Sequence, residues 1–195
     1  MKKIAVFASG TGSNFLSLND ALKKESSVAK IALVVSDKPQ SLVVKNADKL
    51  NIEVFSFNSK DYKNRAEYER TILSKLIECE IDLIVLAGYM RIIGKTLLSN
   101  YDKKIVNIHP SLLPSFKGID AIGQAIDHKV KITGVTIHYI DEGVDTGEII
   151  AQKAIDISSL NSREEIEKEI HKIEHQLYPK VIISLLEEIN EKSID

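Results

Sequence analysis

Between residues 3 and 157 the chain alternates short β-branched apolar runs with longer segments of helical period, and this alternation limits the available folds more than any single motif does. It predicts βαβ units around a mostly parallel, twisted sheet flanked by helices: a Rossmann-like α/β fold. Strands are expected at residues 3–8, 31–36, 53–55, 83–87, 105–109, 133–139 and 148–157. Helices are expected at 14–24, 41–50, 64–80, 94–99 and 119–128, with a long closing helix over about 162–189. The strands up to Ala87 read as nearly continuous apolar runs, as strands covered on both faces do. Later ones such as TGVTIHYI alternate, which predicts an antiparallel or edge addition. Ser162 followed by Glu165 is a capping-box signature for the last helix, and Pro179 inside its pattern predicts a kink or a break.

At 195 residues the chain suits one domain, 1–195. A formal net charge of −2, with 28% charged residues of both signs interspersed, gives no basic face for general nucleic-acid binding. The most apolar stretch, residues 81–93, holds Asp82 and Arg91 and falls short of the roughly 18 uncharged apolar residues that span a bilayer. MKKIAVFASGTGSN imitates the charged start of a signal peptide, but its apolar run is short and turns at once into Gly and Ser. A cytoplasmic protein is expected. The single cysteine, Cys79, has no internal partner and reads as a buried structural thiol.

Ligands of open α/β sheets gather beyond the carboxyl ends of the strands, so the residues following each strand carry the functional reading. The Ser-Gly-Thr-Gly-Ser-Asn run at 9–14 joins the first strand to the first helix. Its glycines allow a tight turn, and free N–H groups at a helix start attract an anion, with Ser13 or Asn14 capping the helix. A plain tight turn fits the same residues, since neither a Walker A nor a full dinucleotide fingerprint is present. AGYMRII at 87–93 offers backbone groups and apolar side chains to a planar heterocycle, or is simply a strand-to-helix loop with core Met and Ile.

In IVNIHPSLLPSFKG, Asn107 and His109 stand two apart on a strand and share a face, and Pro110 ends the ladder. An amide donor beside an imidazole suits a developing oxyanion. A hydrogen-bonded strand-end histidine with a turn-forming Asn is the alternative. The acidic loop IDEGVDTG at 140–147 matches no calcium loop, and one carboxylate set against His109 is its functional reading. His138 reads as packed and hydrogen-bonded, and His128 as a surface residue. His171 and His175 read as a solvated or partly packed helix face, without the third ligand that a metal needs.

Taken in order, SGTGSN, AGYMRII, NIHPSLLPSFKG, TIHYIDEGVDTG and IEHQLYP at 173–179 closely resemble the phosphoribosylglycinamide formyltransferases, folate-dependent enzymes of purine biosynthesis. The resemblance runs over residues 3–186 and implies a formyltransferase fold. It implies a phosphate-binding half over about 1–100, and a folate and catalytic half over about 101–190. Gly12, Ser13 and Asn14 would hold the phosphate of phosphoribosylglycinamide, and Glu174 its ribose hydroxyls. Arg65, Met90, Arg91, Ile92, Ile93, Asn107, Ile140, Asp141 and Asp145 would form the site for 10-formyltetrahydrofolate. Asn107, His109 and Asp145 would be the catalytic set. The chain departs from the family pattern at Ile122, where many relatives carry a histidine.

The resemblance implies that the substrate amine attacks the formyl carbon while Asn107 and protonated His109 stabilise the oxyanion. Asp145 would keep the ring charged and order a water. No metal, nucleic acid or membrane is implied, and the chain is expected to be a monomer or a homodimer. Formyltetrahydrofolate deformylase shares the catalytic trio but normally carries an N-terminal regulatory domain. Methionyl-tRNA formyltransferase normally adds a C-terminal barrel, for which no residues remain here. A non-catalytic nucleotide-binding module would leave Asn107, His109 and Asp145 without a purpose.

Overall fold

A computed structural model describes residues 1–25 and 28–191, with side chains through 189. The first strand, β1 (Lys2–Phe7), lies in the interior of a seven-stranded sheet. The chain then runs through α1 (Ser13–Lys24), β2 (Ala29–Ser36), α2 (Leu42–Lys49), β3 (Glu53–Ser56), α3 (Arg65–Glu78) and β4 (Leu83–Leu86). After α4 (Lys95–Leu98) come β5 (Ile105–His109), α5 (Ala121–Asp127), β6 (Ile132–Tyr139), β7 (Ile149–Asp156) and the long α6 (Arg163–Glu191). Strand order is β3-β2-β1-β4-β5-β6-β7. The first five strands in that order pair in parallel, whereas β6 and β7 add antiparallel, as their alternation predicted.

Strand composition explains the layering. Along β1, Ile4 and Val6 enter one buried cluster and Ala5 and Phe7 the other, so both faces are covered. The first cluster takes Phe15 and Leu18 from α1, Val43 from α2, Ile122 from α5 and Ile170, Tyr178 and Ile182 from α6. The second takes Tyr68, Ile72 and Leu76 from α3 and Leu97 from α4. Each fully buried large side chain contributes roughly 1.5–3 kcal/mol relative to exposure. The outer strand β7 is mostly exposed, consistent with its polar Gln152, Lys153 and Asp156.

The closing helix is not broken at Pro179. A proline cannot donate to the carbonyl four residues back, which is that of His175. Here the Ser17 hydroxyl donates to that carbonyl at 2.8 Å, so the neighbouring helix satisfies it. The capping box is half formed: Ser162 Oγ accepts from Glu165 N–H at 3.2 Å, while the Glu165 carboxylate takes the N–H of Asn161 instead. Tyr178, almost fully buried, donates its hydroxyl toward the carbonyls of Leu86 (2.8 Å) and Val106 (3.0 Å), tying α6 to the ends of β4 and β5. Cys79 departs from expectation: it is only partly buried, its thiol faces Glu53, and burial together with that carboxylate pushes its pKa up.

Candidate active site

The site is built where the sheet changes from parallel to antiparallel. β5 runs parallel to β4 on one side and antiparallel to β6 on the other, with Asn107 opposite His138 and His109 opposite Thr136. Next to His138 the β6–β7 register shifts, a bulge of the kind that re-aims side chains beside functional sites. His138 is fully buried, and burial lowers its pKa, so the ring is neutral. Its Nδ1–H donates to the Tyr139 carbonyl at 2.8 Å. Nε2 is therefore an acceptor and takes an N–H from Asn107 Nδ2 at 3.2 Å. It makes no ion pair with Asp145 Oδ1, 3.6 Å away, because it carries no proton. One amide N–H of Asn107 is thus anchored, and its second stays available to a ligand.

His109 is also buried, and each of its ring nitrogens faces an acceptor. Nε2 donates to the Phe116 carbonyl at 2.9 Å, which leaves Nδ1 as the nitrogen beside Asp145 Oδ2, 3.4 Å away. A doubly protonated ring satisfies both partners. Phe116 adopts a left-handed conformation with φ 55°, which turns its carbonyl back on the histidine. Asp145 Oδ2 also accepts the Gly118 N–H at 2.7 Å, so one carboxylate joins the loop after β5 to the acidic loop after β6. The loop after β5 is pinned from below by Thr136, whose hydroxyl donates to the Ser111 carbonyl (2.7 Å) and accepts Leu113 N–H (3.0 Å). Asp141 shapes its own loop, accepting from Gly143 N–H (3.0 Å) and the Thr146 hydroxyl (2.6 Å).

Beside this cluster lies a cavity of about 400 Å³ at the carboxyl ends of β4 and β5. Met90, Arg91, Ile92, Ile93, Asn107, Ile140, Asp141 and Asp145 all line it, as the sequence reading grouped them, and so does Ile122. Met90, Ile92 and Val144 leave large apolar side chains exposed at its edge, 72%, 60% and 52% respectively, a rim suited to covering a flat ligand. Arg65 does not line the cavity: it opens α3, close to Gly94 and electrostatically linked to the buried Glu69.

The glycine-rich turn opens α1. The helix cap there is Gly12, in a left-handed conformation with φ 77°, rather than Ser13 or Asn14. No side chain caps α1, so the N–H groups of its first turn stay open to an anion. Asn14 Nδ2 donates to Glu174 Oε2 at 3.1 Å across 160 residues of sequence, joining the two expected halves in one site. Glu174 is buried, and that burial raises its pKa, opposed by the hydrogen bond from Asn14. Asn14 Oδ1 is buried without a hydrogen-bond partner, an acceptor that a ligand hydroxyl would satisfy. The sequence reading did not foresee the Phe116 carbonyl, the Gly118 N–H or the grip of His138 on Asn107. Of these, only the cross-strand pair had a signal, in the opposed alternation of 105–109 and 133–139.

Residues 2–182 match the family model described as formyl transferase. The chain belongs to the formyl transferase family. This formyl transferase is 55% identical over 186 residues to the phosphoribosylglycinamide formyltransferase of Bacillus subtilis (strain 168), covering 95% of each chain. It is 39% identical over 180 residues to the trifunctional purine biosynthetic protein adenosine-3 of Bos taurus, covering 92% of this chain and 18% of that one. The crystal structure of glycinamide ribonucleotide transformylase 1 from Geobacillus kaustophilus superposes with a TM-score of 0.93 at 52% identity, covering 95% of this formyl transferase and 99% of that chain. Among the described residues, no group of three or more His, Cys, Asp or Glu side chains is placed to hold a metal ion, and no helix is long and apolar enough to cross a membrane.

Proposed function

We propose that this chain transfers the formyl group of 10-formyltetrahydrofolate to the amine of phosphoribosylglycinamide, a step of purine biosynthesis. The observation that carries this reading is the position of Asn107, His109 and Asp145. Within electrostatic reach of His109 is the buried carboxylate of Glu174, bonded to Asn14 of an uncapped helix start, and Asn107, His109 and Asp145 all line an apolar-walled cavity. The helix start suits a phosphorylated ribose, and the cavity a flat heterocycle.

In this reading the first-turn N–H groups of Ser13 and Asn14, with Gly12, hold the phosphate, and Glu174 holds ribose hydroxyls. Residues 90–93 and the 140–145 loop enclose the folate. The free amide N–H of Asn107 holds the formyl oxygen as the amine adds to the formyl carbon, joined by the Nδ1–H of His109, which turns to it from its long 3.4 Å contact with Asp145 while Nε2 stays on the Phe116 carbonyl. Asp145 orders a water, takes up through it the proton shed by the attacking nitrogen, and passes that proton to His109 Nδ1 to replace the one the ring gives up. His109 returns a proton to the departing folate nitrogen as the carbon–nitrogen bond breaks. Enclosure by the folate limits hydrolysis of the formyl group.

The test is a formyl-transfer assay with and without the ribonucleotide, in the presence and absence of EDTA. Formylated ribonucleotide should accumulate only when both substrates are present, and EDTA should leave the rate unchanged. Formate release at full rate from the folate alone would instead mark a deformylase.

A further inference from the structure

A buried hydrogen-bond chain that takes no part in the chemistry ties the ends of β1 and β2 to the 88–93 segment. Ser9, just beyond β1, donates its hydroxyl to Asp37 Oδ1 at 2.5 Å, and Ser9 Oγ in turn accepts the Met90 N–H at 2.9 Å. Asp37 Oδ2 accepts Nε–H of Arg91 at 2.8 Å, and Arg91 Nη2 continues to Ser59 Oγ at 2.7 Å. The Asp37 side chain is 2% exposed and that of Arg91 41%. Ser9 N–H completes the link by donating to the Gly88 carbonyl at 3.0 Å.

The segment needs such a tether because its middle is not held by burial. Tyr89 packs edge-on against Phe7, and Ile93 is buried, but Met90 and Ile92 between them are largely exposed. An ion pair with one buried and one exposed partner adds little net stability, since desolvation of the carboxylate offsets much of the attraction, whereas its geometry is demanding. The phosphate-loop side has separate anchors: Val43 N–H donates to the Gly10 carbonyl at 3.1 Å, and Asn46 reaches the Thr11 carbonyl. Loss of Asp37 would therefore loosen one loop and spare the other.

We propose that Asp37 is a positioning residue for the formyl donor, fixing through Ser9 and Arg91 the segment against which the folate ring lies. This rests on the functional reading given above. The full-length enzyme, Asp37→Asn and Ser9→Ala are compared by steady-state kinetics in each substrate and by amide hydrogen exchange. Asp37→Asn keeps the shape and loses the charge. Its KM for the formyl donor should rise on the order of tenfold, the scale of one net hydrogen bond. KM for the ribonucleotide should not move, and exchange should quicken at residues 89–92 while β1 and β2 stay protected. Ser9→Ala should show the same split, with the Met90 amide most affected. An unchanged donor KM in Asp37→Asn, with an active wild type, overturns this proposal alone. Equal rises in both KM values with faster exchange across β1 and β2 also overturn it, since they reduce Asp37 to a fold-stability residue. A wild type that transfers no formyl group overturns both the proposal and the functional reading.

Discussion

Asn107 and His138 face each other directly across the β5–β6 pair, with the amide nitrogen 3.2 Å from a ring nitrogen that has no proton. Burial holds the pKa of His138 below the ordinary 6.5, so protonation costs the folded state. With a depressed folded value, the neutral ring's contribution to stability is fully present above the unfolded pKa. It is lost as pH falls through the folded value. Denaturant unfolding of wild type and His138→Gln, from neutral pH down to about pH 5, checks this. Wild type should lose more stability across that window than the variant, and parallel curves would count against the assignment.

Asn107→Ala should lower kcat by on the order of 10²–10³ through loss of one oxyanion donor. His109→Ala should lower it by on the order of 10²–10⁴. Because both groups serve one oxygen, the double variant should lose less than the product of the two. Strictly multiplicative losses in steady-state assays would assign them separate tasks.

Asp145→Asn keeps an oxygen for the Gly118 N–H but removes the negative charge beside His109. The variant should bind both substrates yet turn over slowly, because the carboxylate that takes up the amine proton is gone. A pH–rate profile with the same shape and height as wild type would remove Asp145 from the chemistry.

A side chain at Gly12 would meet more than a phosphate. A Cβ there lies 2.8 Å from both Cβ and Cγ2 of Val43, in a backbone conformation with φ 77°. Gly12→Val should therefore lose stability, by roughly 1–3 kcal/mol from overpacking, together with ribonucleotide affinity. Glu174→Gln, free of that clash, should weaken the ribonucleotide and leave folate binding intact. Calorimetry with each substrate and a melting curve separate the two effects.

Ser17→Ala should strip the His175 carbonyl of its donor and cost about 1 kcal/mol. In a Pro179→Ala background the restored backbone N–H reaches the same carbonyl, so the serine substitution should cost less there. Urea titrations of the four proteins close the cycle, and equal costs in both backgrounds would mean that the hydroxyl does not replace the missing donor.

The strands were legible because apolar runs covered on both faces have a plain pattern, and Asn107 and His109 stood out as two polar side chains aimed alike. Of the kink or break expected at Pro179, the break does not occur, and the replacement donor that prevents it, Ser17, was not legible because it lies 158 residues away in sequence. Helix capping by Ser13 or Asn14 failed for a local reason. Gly12 takes the left-handed cap, and the Asn14 amide is drawn to Glu174. The Phe116 carbonyl that orients His109 could not be read at all, since a backbone oxygen has no residue signature. His138 was expected to be packed and hydrogen-bonded, and it is. Its grip on Asn107 depends on strand register, which the alternation of each strand alone does not fix.

The seam between α1 and α6 has a consequence for how the molecule comes into being. Asn14 meets Glu174, and Ser17 meets His175, from opposite ends of the polypeptide. Contacts this far apart in sequence require a large loop to close before they return any stabilisation. During synthesis the sheet strands emerge before α6, and until that helix docks, Phe15, Leu18 and Leu22 of α1 lack its cover. On the functional reading proposed above, the ribonucleotide flank of the site is finished by the same event that seals the core. An unfinished chain can neither hold the ribonucleotide nor hide its apolar face, so quality control and catalysis depend on a single docking step.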